Sequence, residues 1–481
     1  MSAASTGHVV VIGAGVAGLA AAHRALARGA RVTVLEATDR VGGKLLPGEI
    51  AGLRVDLGAE SMLARRPEAV GLAREVGLGD RLQPPATATA SIWTRDALRP
   101  MPKGHVMGVP GTAAALSGLL SAEGVARIER DAELPPTEVG DDVAVGEYVA
   151  ARMGREVVDR LVEPLLGGVY AGDAYRLSLR SAVPQLYQAA RTHGTLTAAV
   201  RSLQAKAAEA GQSGPVFLGI EGGVGTLPLA VADAVRARGG EILTRTPVSE
   251  LRRDGTGWRV TAGDRTLHAD AVVVAVPAPA ASALLRAEAP AAAAELAAVE
   301  YASMALITLA YRRADAALPE GSGFLVPPVD GRTIKAATFA SQKWGWVGAG
   351  DPDLLVVRTS VGRHHETEIL RRDDADLVQV ARHDLRAATG LDAAPVATRV
   401  TRWTDGLPQY PVGHHARVAR VREHIAKLPG LAVCGAQYDG VGIPACIASA
   451  YAAVDQLGGD LAGVRELTAN PVQSLHGGAG E

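Results

Sequence analysis

Cysteine is the scarcest reactive chemistry in this 481-residue chain, which carries two, Cys434 and Cys446. A disulfide framework needs more, and a zinc site ordinarily takes four ligands at close spacing. Both thiols therefore read as small buried apolar groups, in a chain suited to a reducing cytoplasm. An excess of either charge is also missing. Lys plus Arg number 49 and Asp plus Glu 51, a formal net charge of -2 that gives no electrostatic footprint for nucleic acid. No eighteen consecutive residues are uninterruptedly apolar, so no transmembrane helix is expected. The best stretch, residues 271–285, is broken by Pro277 and Pro279. The opening MSAASTGHVVVIGAG lacks a basic segment ahead of an apolar one, which argues against a secretory signal. A peripheral membrane contact stays compatible, because an amphipathic surface needs no such run. Aromatic residues make up only 4%, whereas Ala, Arg and Gly abound. That bias suggests a high-GC genome and weakens any helix argument resting on alanine alone.

What is present is length and a returning α/β pattern. The chain is 48% hydrophobic and too long for one ordinary core, which predicts two or three domains. Residues 8–12 are apolar and β-branched, as a buried parallel strand requires. Residues 16–28 read as a helix with Leu19 and Leu26 seven apart, and Gly29 supplies its stop. Residues 31–35 return to strand. This β-α-β opening predicts a Rossmann-type domain, its first part over 1–85. Residues 86–215 read as a mostly helical insertion, a candidate membrane-facing unit, with helices at 145–152 and 154–166. The first pattern returns over 216–285, with a helix at 227–237, strands at 241–244 and 257–262, and a buried strand at 271–276. Residues 286–402 alternate strand-like runs, 306–311 and 354–359, with a helix at 377–389, as an α+β substrate domain would. Residues 403–464 bring a buried strand at 431–434, glycines, and a last helix at 445–457. The tail 465–481 is expected to be flexible. The charge run 371–376 reads as a solvated helix start. His364 with His365, and His414 with His415, show no carboxylate–His spacing. Neighbours in regular structure point apart, so no metal is expected.

Gly13, Gly15 and Gly18 form GxGxxG between the first strand and the first helix. Gly13 allows the tight turn, Gly15 lets backbone approach a pyrophosphate, and Gly18 lets the helix pack on the strand. The helix N-terminus then offers free N–H groups to phosphate. Glycine-rich turns are common, but this one sits in the strand-turn-helix context the motif needs. Glu36 ends the second strand eighteen residues after Gly18, where an acid can accept from both ribose hydroxyls and repels a ribose phosphate. The alternative is a solvated strand-end carboxylate. Asp39 opens DRVGGK, a second glycine pair that suits a longer cofactor crossing the domain, with Arg40 and Lys44 placed to offset phosphate charge. A basic surface turn is the plainer reading. Some 400 residues later, CGAQYDGVGIPA from Cys434 repeats the strand, glycine loop and helix start. Backbone N–H groups of Val441, Gly442 and Ile443 could face a flavin's pyrimidine edge and stabilise its reduced charge.

These motifs resemble the FAD-dependent amine oxidase superfamily, and within it the porphyrinogen oxidases. The resemblance spans nearly the whole chain. It rests on DLGAES from Asp56 with LARRP from Leu63, and on MPKG from Met101 with MGVP from Met107. It rests further on EPLLGGVYAGD from Glu163, GGVGTLP from Gly222, TRW from Thr401 with LPQYP from Leu407, and the closing GVGIP. GxGxxG is widely shared, whereas EPLLGGVYAGD and the match after Arg402 are far more specific.

The resemblance implies an α/β Rossmann-type FAD-binding domain, an α+β substrate domain and a mostly helical insertion. It implies FAD held without a covalent link. It implies removal of six hydrogens from a porphyrinogen in three two-electron rounds, each passing a hydride to flavin N5, with O2 reoxidising the flavin to give peroxide. No side chain need be catalytic, because the flavin carries the chemistry. Carried onto this sequence, FAD contacts fall to Gly13, Ala14, Gly15, Val16, Ala17 and Gly18, and to Glu36, Ala37, Arg40, Gly43 and Lys44. Others fall to Gly58, Ala59, Glu60 and Ser61, to the Val248 backbone, and to Trp403, Gly435, Val441, Gly442 and Ile443. Leu166, Gly168, Tyr170 and Leu325 would line the substrate cavity, with core packing as the alternative for each. The implied partners are a porphyrinogen and O2. A cytoplasmic place, with peripheral contact at the inner face of the membrane and transient contact with other haem-synthesis enzymes, is compatible. Coproporphyrinogen III, with four propionates, is favoured over protoporphyrinogen IX, with two, because high-GC Gram-positive relatives mostly form coproporphyrin. An amine oxidase or carotenoid desaturase is the second reading, and a non-catalytic flavoprotein scaffold the third. Some eukaryotic members carry an arginine just before the strand 91–94. Ala90 and Ser91 stand here, so that propionate contact is open, with Arg65, Arg66 or Lys103 as substitutes.

Overall fold

A computed structural model describes residues 7–114, 116–209 and 214–468, with side chains as far as residue 458. Five parallel strands stand in the order Glu241–Leu243, Arg31–Leu35, His8–Ile12, Ala271–Val274, Leu431–Val433. The three central strands are apolar except at His8, Arg31 and Thr33, because both faces of the sheet are covered. Helices Val16–Ala27, Thr226–Ala237 and Ile443–Thr468 pack on one face around Leu19, Val231 and Ile447. Helix Ala278–Leu285 and the antiparallel strands Val248–Asp254, Gly257–Ala262 and Arg265–Ala269 cover the other, around Trp258. The expected Rossmann-type unit is thus assembled from three distant stretches of chain.

A seven-stranded sheet forms the second layer, in the order Ala397–Pro408, Tyr301–Arg312, Leu354–Val361, Ile334–Thr338, Gly323–Leu325, Ser91–Thr94, Ala97–Pro100. Two expected boundaries shift. The hairpin at 91–100 belongs to this sheet rather than to the helical insertion 86–215. Alternation explains why: Trp93 faces the sheet's core, 5.9 Å from Phe324, while Ile92 faces the helical core. The boundary at 402/403 falls inside Ala397–Pro408, which pairs with Tyr301–Arg312 on both sides of that point. Helix Asp374–Thr389 packs on one face of the sheet, capped by the Asp373 side chain accepting from Asp376 N–H, so the charge run is a helix start.

The remainder of 86–215 is helical and has its own core. Arg152 and Asp131, both 1% exposed, pair at 2.6 Å within it. Asp131 also accepts the Thr197 N–H and hydroxyl. The single helix expected at 154–166 is broken into Arg155–Val157, a wide π turn at Val158–Val162, and Glu163–Tyr170. Pro164 has no N–H to give back to the preceding turn, which accounts for the widening. The last helix begins at Ile443 and runs to Thr468, past the start of the expected tail, and residues 469–481 lie outside the described residues. Among the described residues no helix is long and apolar enough to cross a membrane.

Candidate cofactor and substrate site

Gly13 follows the first strand directly, its N–H on Leu35 O at 2.8 Å and its φ at 105°, where a side chain is strained. A β-carbon on Gly18 would lie 1.9 Å from Gly13 O, so this helix-to-loop approach requires glycine. One on Gly15 would meet nothing within 4 Å, which leaves the outer side of the loop open. Ala14 and Ala17 are buried beneath the loop, and Val16 is half-buried at the start of its helix. Ala275 N–H donates to Ile12 O and Cys434 N–H to Val274 O. Gly13, Ala275 and Gly435 therefore stand together at the carboxyl ends of three adjacent parallel strands, where open α/β sheets bind ligands.

Glu36 is tied to this loop. Its carboxylate accepts from Ala14 N–H at 2.8 Å, Thr38 N–H at 2.9 Å and the Thr38 hydroxyl at 2.7 Å, beside exposed Ala37. Thr246 N–H donates to Glu36 O, so the chain that leads into Val248 runs alongside. The second glycine turn docks on the first through Gly42 N–H to Ala14 O, 2.8 Å. Arg40 donates to Gly43 O at 2.7 Å and Val41 O at 3.3 Å, bracing its own turn. Lys44 is held below its ordinary pKa by burial.

Residues 56–61 join the two layers. Asp56 accepts from Val224 N–H at 2.9 Å and Gly225 N–H at 2.8 Å, which brings the GGVGTLP motif onto it. Burial pushes its carboxyl up to about 7 against those two bonds. Gly58 is packed against Lys44 O, 2.1 Å from where its β-carbon would be. The Trp403 indole N–H donates to Leu57 O at 2.9 Å. Ala59 is exposed and Ser61 half-buried beside Glu60. The carboxylate of Glu60, a residue expected to contact the cofactor, is turned towards Lys343 and Arg358. It pairs with Lys343 at 2.5 Å and Arg358 at 2.8 Å, and Arg358 also donates to Gly58 O at 2.8 Å. Burial favours its neutral form, but Arg358 and Lys343 outweigh that and hold its pKa down at about 2. Nothing in the sequence marks Lys343 or Arg358 as its partners.

On the C-terminal side, Gly435 N–H donates to the Ser449 hydroxyl at 3.1 Å, and Cys446 N–H to Gly442 O opens the last helix. Val441, Gly442 and Ile443 therefore sit at a helix N-terminus, where N–H groups lack intrahelical acceptors. Cys434 and Cys446 are buried free thiols, as expected.

Helix Glu163–Tyr170 crosses strands Gly323–Leu325 and Ile334–Thr338. Leu325 lies 3.6 Å from where a β-carbon of Gly168 would be, so these two residues meet where the helix crosses the strand. Leu166 and Tyr170, expected beside them at the substrate, turn the other way. Leu166 is fully buried in the helical core and Tyr170 packs there on Tyr410, ring centres 5.5 Å apart. Helical spacing is the reason: positions 163, 166 and 170 share the inward face, and 165, 168 and 169 look outward. Val169 is 44% exposed and Leu165 half-buried. The 3.6-residue period of this segment carried that signal.

The two histidine pairs differ. His414 is buried, with Nε2 3.0 Å from Tyr438 O, and burial drives its pKa down to about 4. His364 and His365 do not point apart. His365 has φ of 70°, outside regular structure, and their ring centres lie 3.8 Å apart beside Glu300. Arg176 contacts both His365 and Glu300, so a cation already occupies that group.

Comparison with known proteins gives one consistent result. The family profile described as flavin containing amine oxidoreductase matches residues 16–458. Coproporphyrinogen III oxidase of Mycobacterium tuberculosis is 39% identical over 451 residues, covering 92% of this chain and 96% of the relative. Protoporphyrinogen oxidase of Bos taurus is 31% identical over 471 residues, covering 92% and 96%. A solved chain from Exiguobacterium sp. 255-15 superposes with a TM-score of 0.83 at 30% identity, over 96% of this chain and 100% of that one.

Proposed function

Since the chain belongs to the flavin-containing amine oxidoreductase family, we propose that it oxidises coproporphyrinogen III to coproporphyrin III, with O2 as electron acceptor. The observation that carries the substrate choice is its 39% identity, along 92% of its length, to a coproporphyrinogen III oxidase. FAD is the cofactor, and when bound it takes two electrons at a time from the substrate and passes them to O2. The residues fit it. The open side of Gly15 and the N-terminus of Val16–Ala27 would hold the pyrophosphate. Glu36 would take the ribose hydroxyls, exchanging its present bond from Ala14 N–H. The Val441, Gly442 and Ile443 N–H groups would offset negative charge on the ring at their helix start. The Glu60–Lys343–Arg358 cluster would act indirectly, holding residues 56–61 in place. Leu165, Gly168, Val169 and Leu325 would form apolar walls that orient a flat macrocycle and exclude water from it.

Protoporphyrinogen IX is the second reading, favoured by the 31% identity to the bovine protoporphyrinogen oxidase. The test is a fluorescence assay of the purified flavin-loaded protein in air, each porphyrinogen offered separately with peroxide measured alongside. Faster coproporphyrin III emission supports the first reading, and preference for protoporphyrinogen IX replaces it with the second. Porphyrin formation no faster than autoxidation from either compound refutes both.

A further inference from the structure

Gln409 and Tyr410 follow strand Ala397–Pro408 directly, and both are buried. Pro408 and Pro411 fix the backbone φ on either side of the pair. Gln409 reaches the end of helix Glu163–Tyr170. Its side-chain amide donates to Tyr170 O at 2.8 Å and to Leu407 O at 3.2 Å. Tyr170 is the last residue of that helix, which the left-handed Ala171 (φ 49°) ends, so its carbonyl has no intrahelical donor. A β-carbon on Gly172 would lie 2.4 Å from Gln409 Oε1, so the amide sits hard against the turn after the helix.

Tyr410 reaches both ways. Its ring packs on Tyr170, centres 5.5 Å apart, and stacks on His414, centres 4.0 Å apart with planes at 12°. Its hydroxyl donates to Ala436 O, inside the glycine loop that follows strand Leu431–Val433. His414 Nε2 donates to Tyr438 O in the same loop at 3.0 Å. Val441, further along that loop, packs against the helical core that contains Tyr170 and Tyr410. The backbone of the pair is tied down as well. Gln409 N–H donates to Glu300 O at 2.9 Å, and Ser178 N–H to Tyr410 O at 2.8 Å. One dipeptide therefore grips the helix whose outward face carries Gly168 and Val169, and also the loop that leads to Val441, Gly442 and Ile443.

We propose that Gln409 and Tyr410 are positioning residues of the reaction, setting the substrate-wall helix against the loop that meets the flavin. The assignment rests on the porphyrinogen reading above. Neither side chain need touch the substrate. They act through Tyr170 and Ala436, and a misplacement of about 1 Å between reacting partners can cost about 100-fold in rate.

Tyr187 supplies the control. It is buried in the same helical core, and its hydroxyl donates to Gly140 O at 3.1 Å and Asp141 O at 3.0 Å, carbonyls that belong to no cofactor element. The test compares flavin-loaded wild type, Tyr410→Phe, Gln409→Met and Tyr187→Phe by flavin reduction potential, urea unfolding, and kcat and KM for coproporphyrinogen III. Tyr410→Phe keeps its ring contacts and loses only the bond to Ala436 O. Its flavin should be harder to reduce, because the N–H groups that offset negative charge on the ring shift away. Its kcat should fall about 10- to 100-fold with flavin retained. Gln409→Met frees Tyr170 O and should lower kcat with the potential at the wild-type value. Tyr187→Phe should lose stability as Tyr410→Phe does, with potential and kcat unchanged. A Tyr410→Phe protein with wild-type potential and kcat overturns the proposal. So does a Tyr187→Phe protein that changes both as much, which marks a purely structural role. Should Tyr410→Phe not fold, wild-type turnover by Gln409→Met overturns it. Failure of wild type to oxidise coproporphyrinogen III refutes the functional reading, and the potentials, which need no substrate, then judge the hold on the loop by themselves.

Discussion

Replacing Glu60 with Gln should loosen the joint between the nucleotide-binding layer and the second sheet. Glu60 is 11% exposed and its pKa is depressed from 4.5 to about 2 by Arg358 and Lys343, against its burial. At about 1.4 kcal/mol per pH unit, that depression is worth about 3 kcal/mol at neutral pH. Gln would leave Lys343 and Arg358, 17% and 13% exposed, without their counter-charge. Removing one member of such a cluster costs about 3–5 kcal/mol, which agrees. The sign with pH follows from a depressed carboxylate. The stabilisation is full above the unfolded pKa of 4.5 and is lost as pH falls towards about 2. Urea unfolding of wild type and Glu60→Gln, followed by tryptophan fluorescence at pH 7, 5, 4 and 3.5, should show a gap that is constant above about pH 5 and narrows below it. Adding Lys343→Met to Glu60→Gln should restore part of the loss, because one orphaned charge leaves with it. A gap under about 0.5 kcal/mol at pH 7, or one that widens on acidification, would refute the reasoning.

Other sites give independent checks. Gly18→Ala places a β-carbon against Gly13 O, and the purified protein should lose most of its flavin, read as the ratio of 450 nm to 280 nm absorbance; full flavin content would refute the assignment of the loop. Arg152→Met removes one half of a fully buried pair and should cost about 3–5 kcal/mol in urea unfolding, with a midpoint near wild type as the contrary result. Glu163 has a raised folded pKa, about 7 against 4.5, so its contribution is present below pH 4.5 and lost as pH rises through about 7. Glu163→Gln should therefore match wild type near pH 4.5 and exceed it by about 2–3 kcal/mol at pH 8.5, while equal stability at both would count against a buried neutral carboxyl. Val169→Trp fills the outward face of helix Glu163–Tyr170 and should abolish porphyrinogen turnover with flavin retained, whereas unchanged turnover would move the substrate elsewhere.

The sequence was most legible where backbone chemistry is local. Gly13 and Gly18 announce a turn and a close approach that any residue with a β-carbon would block, and the structure places both as the motif requires. Burial on two faces made the strands at 8–12, 271–274 and 431–433 readable as apolar runs. Side-chain direction along Glu163–Tyr170 was less legible. Gly168 and Leu325 meet, but Leu166 and Tyr170 turn into the helical core, and only the helical period distinguishes them from Leu165 and Val169. The metal argument from adjacent histidines assumed regular backbone, which the left-handed His365 does not have.

By itself, then, the chain's local pattern determined the class of fold, the glycine turns and the acid that ends the second strand, because each depends on residues close in sequence. Tertiary structure decided what those parts touch. Asp56 meets Val224 and Gly225, Glu60 meets Lys343 and Arg358, and the hairpin at 91–100 joins a sheet more than 200 residues away in sequence. Such contacts have no period or spacing to betray them, since a long-range ion pair or strand pairing is selected by how whole layers pack.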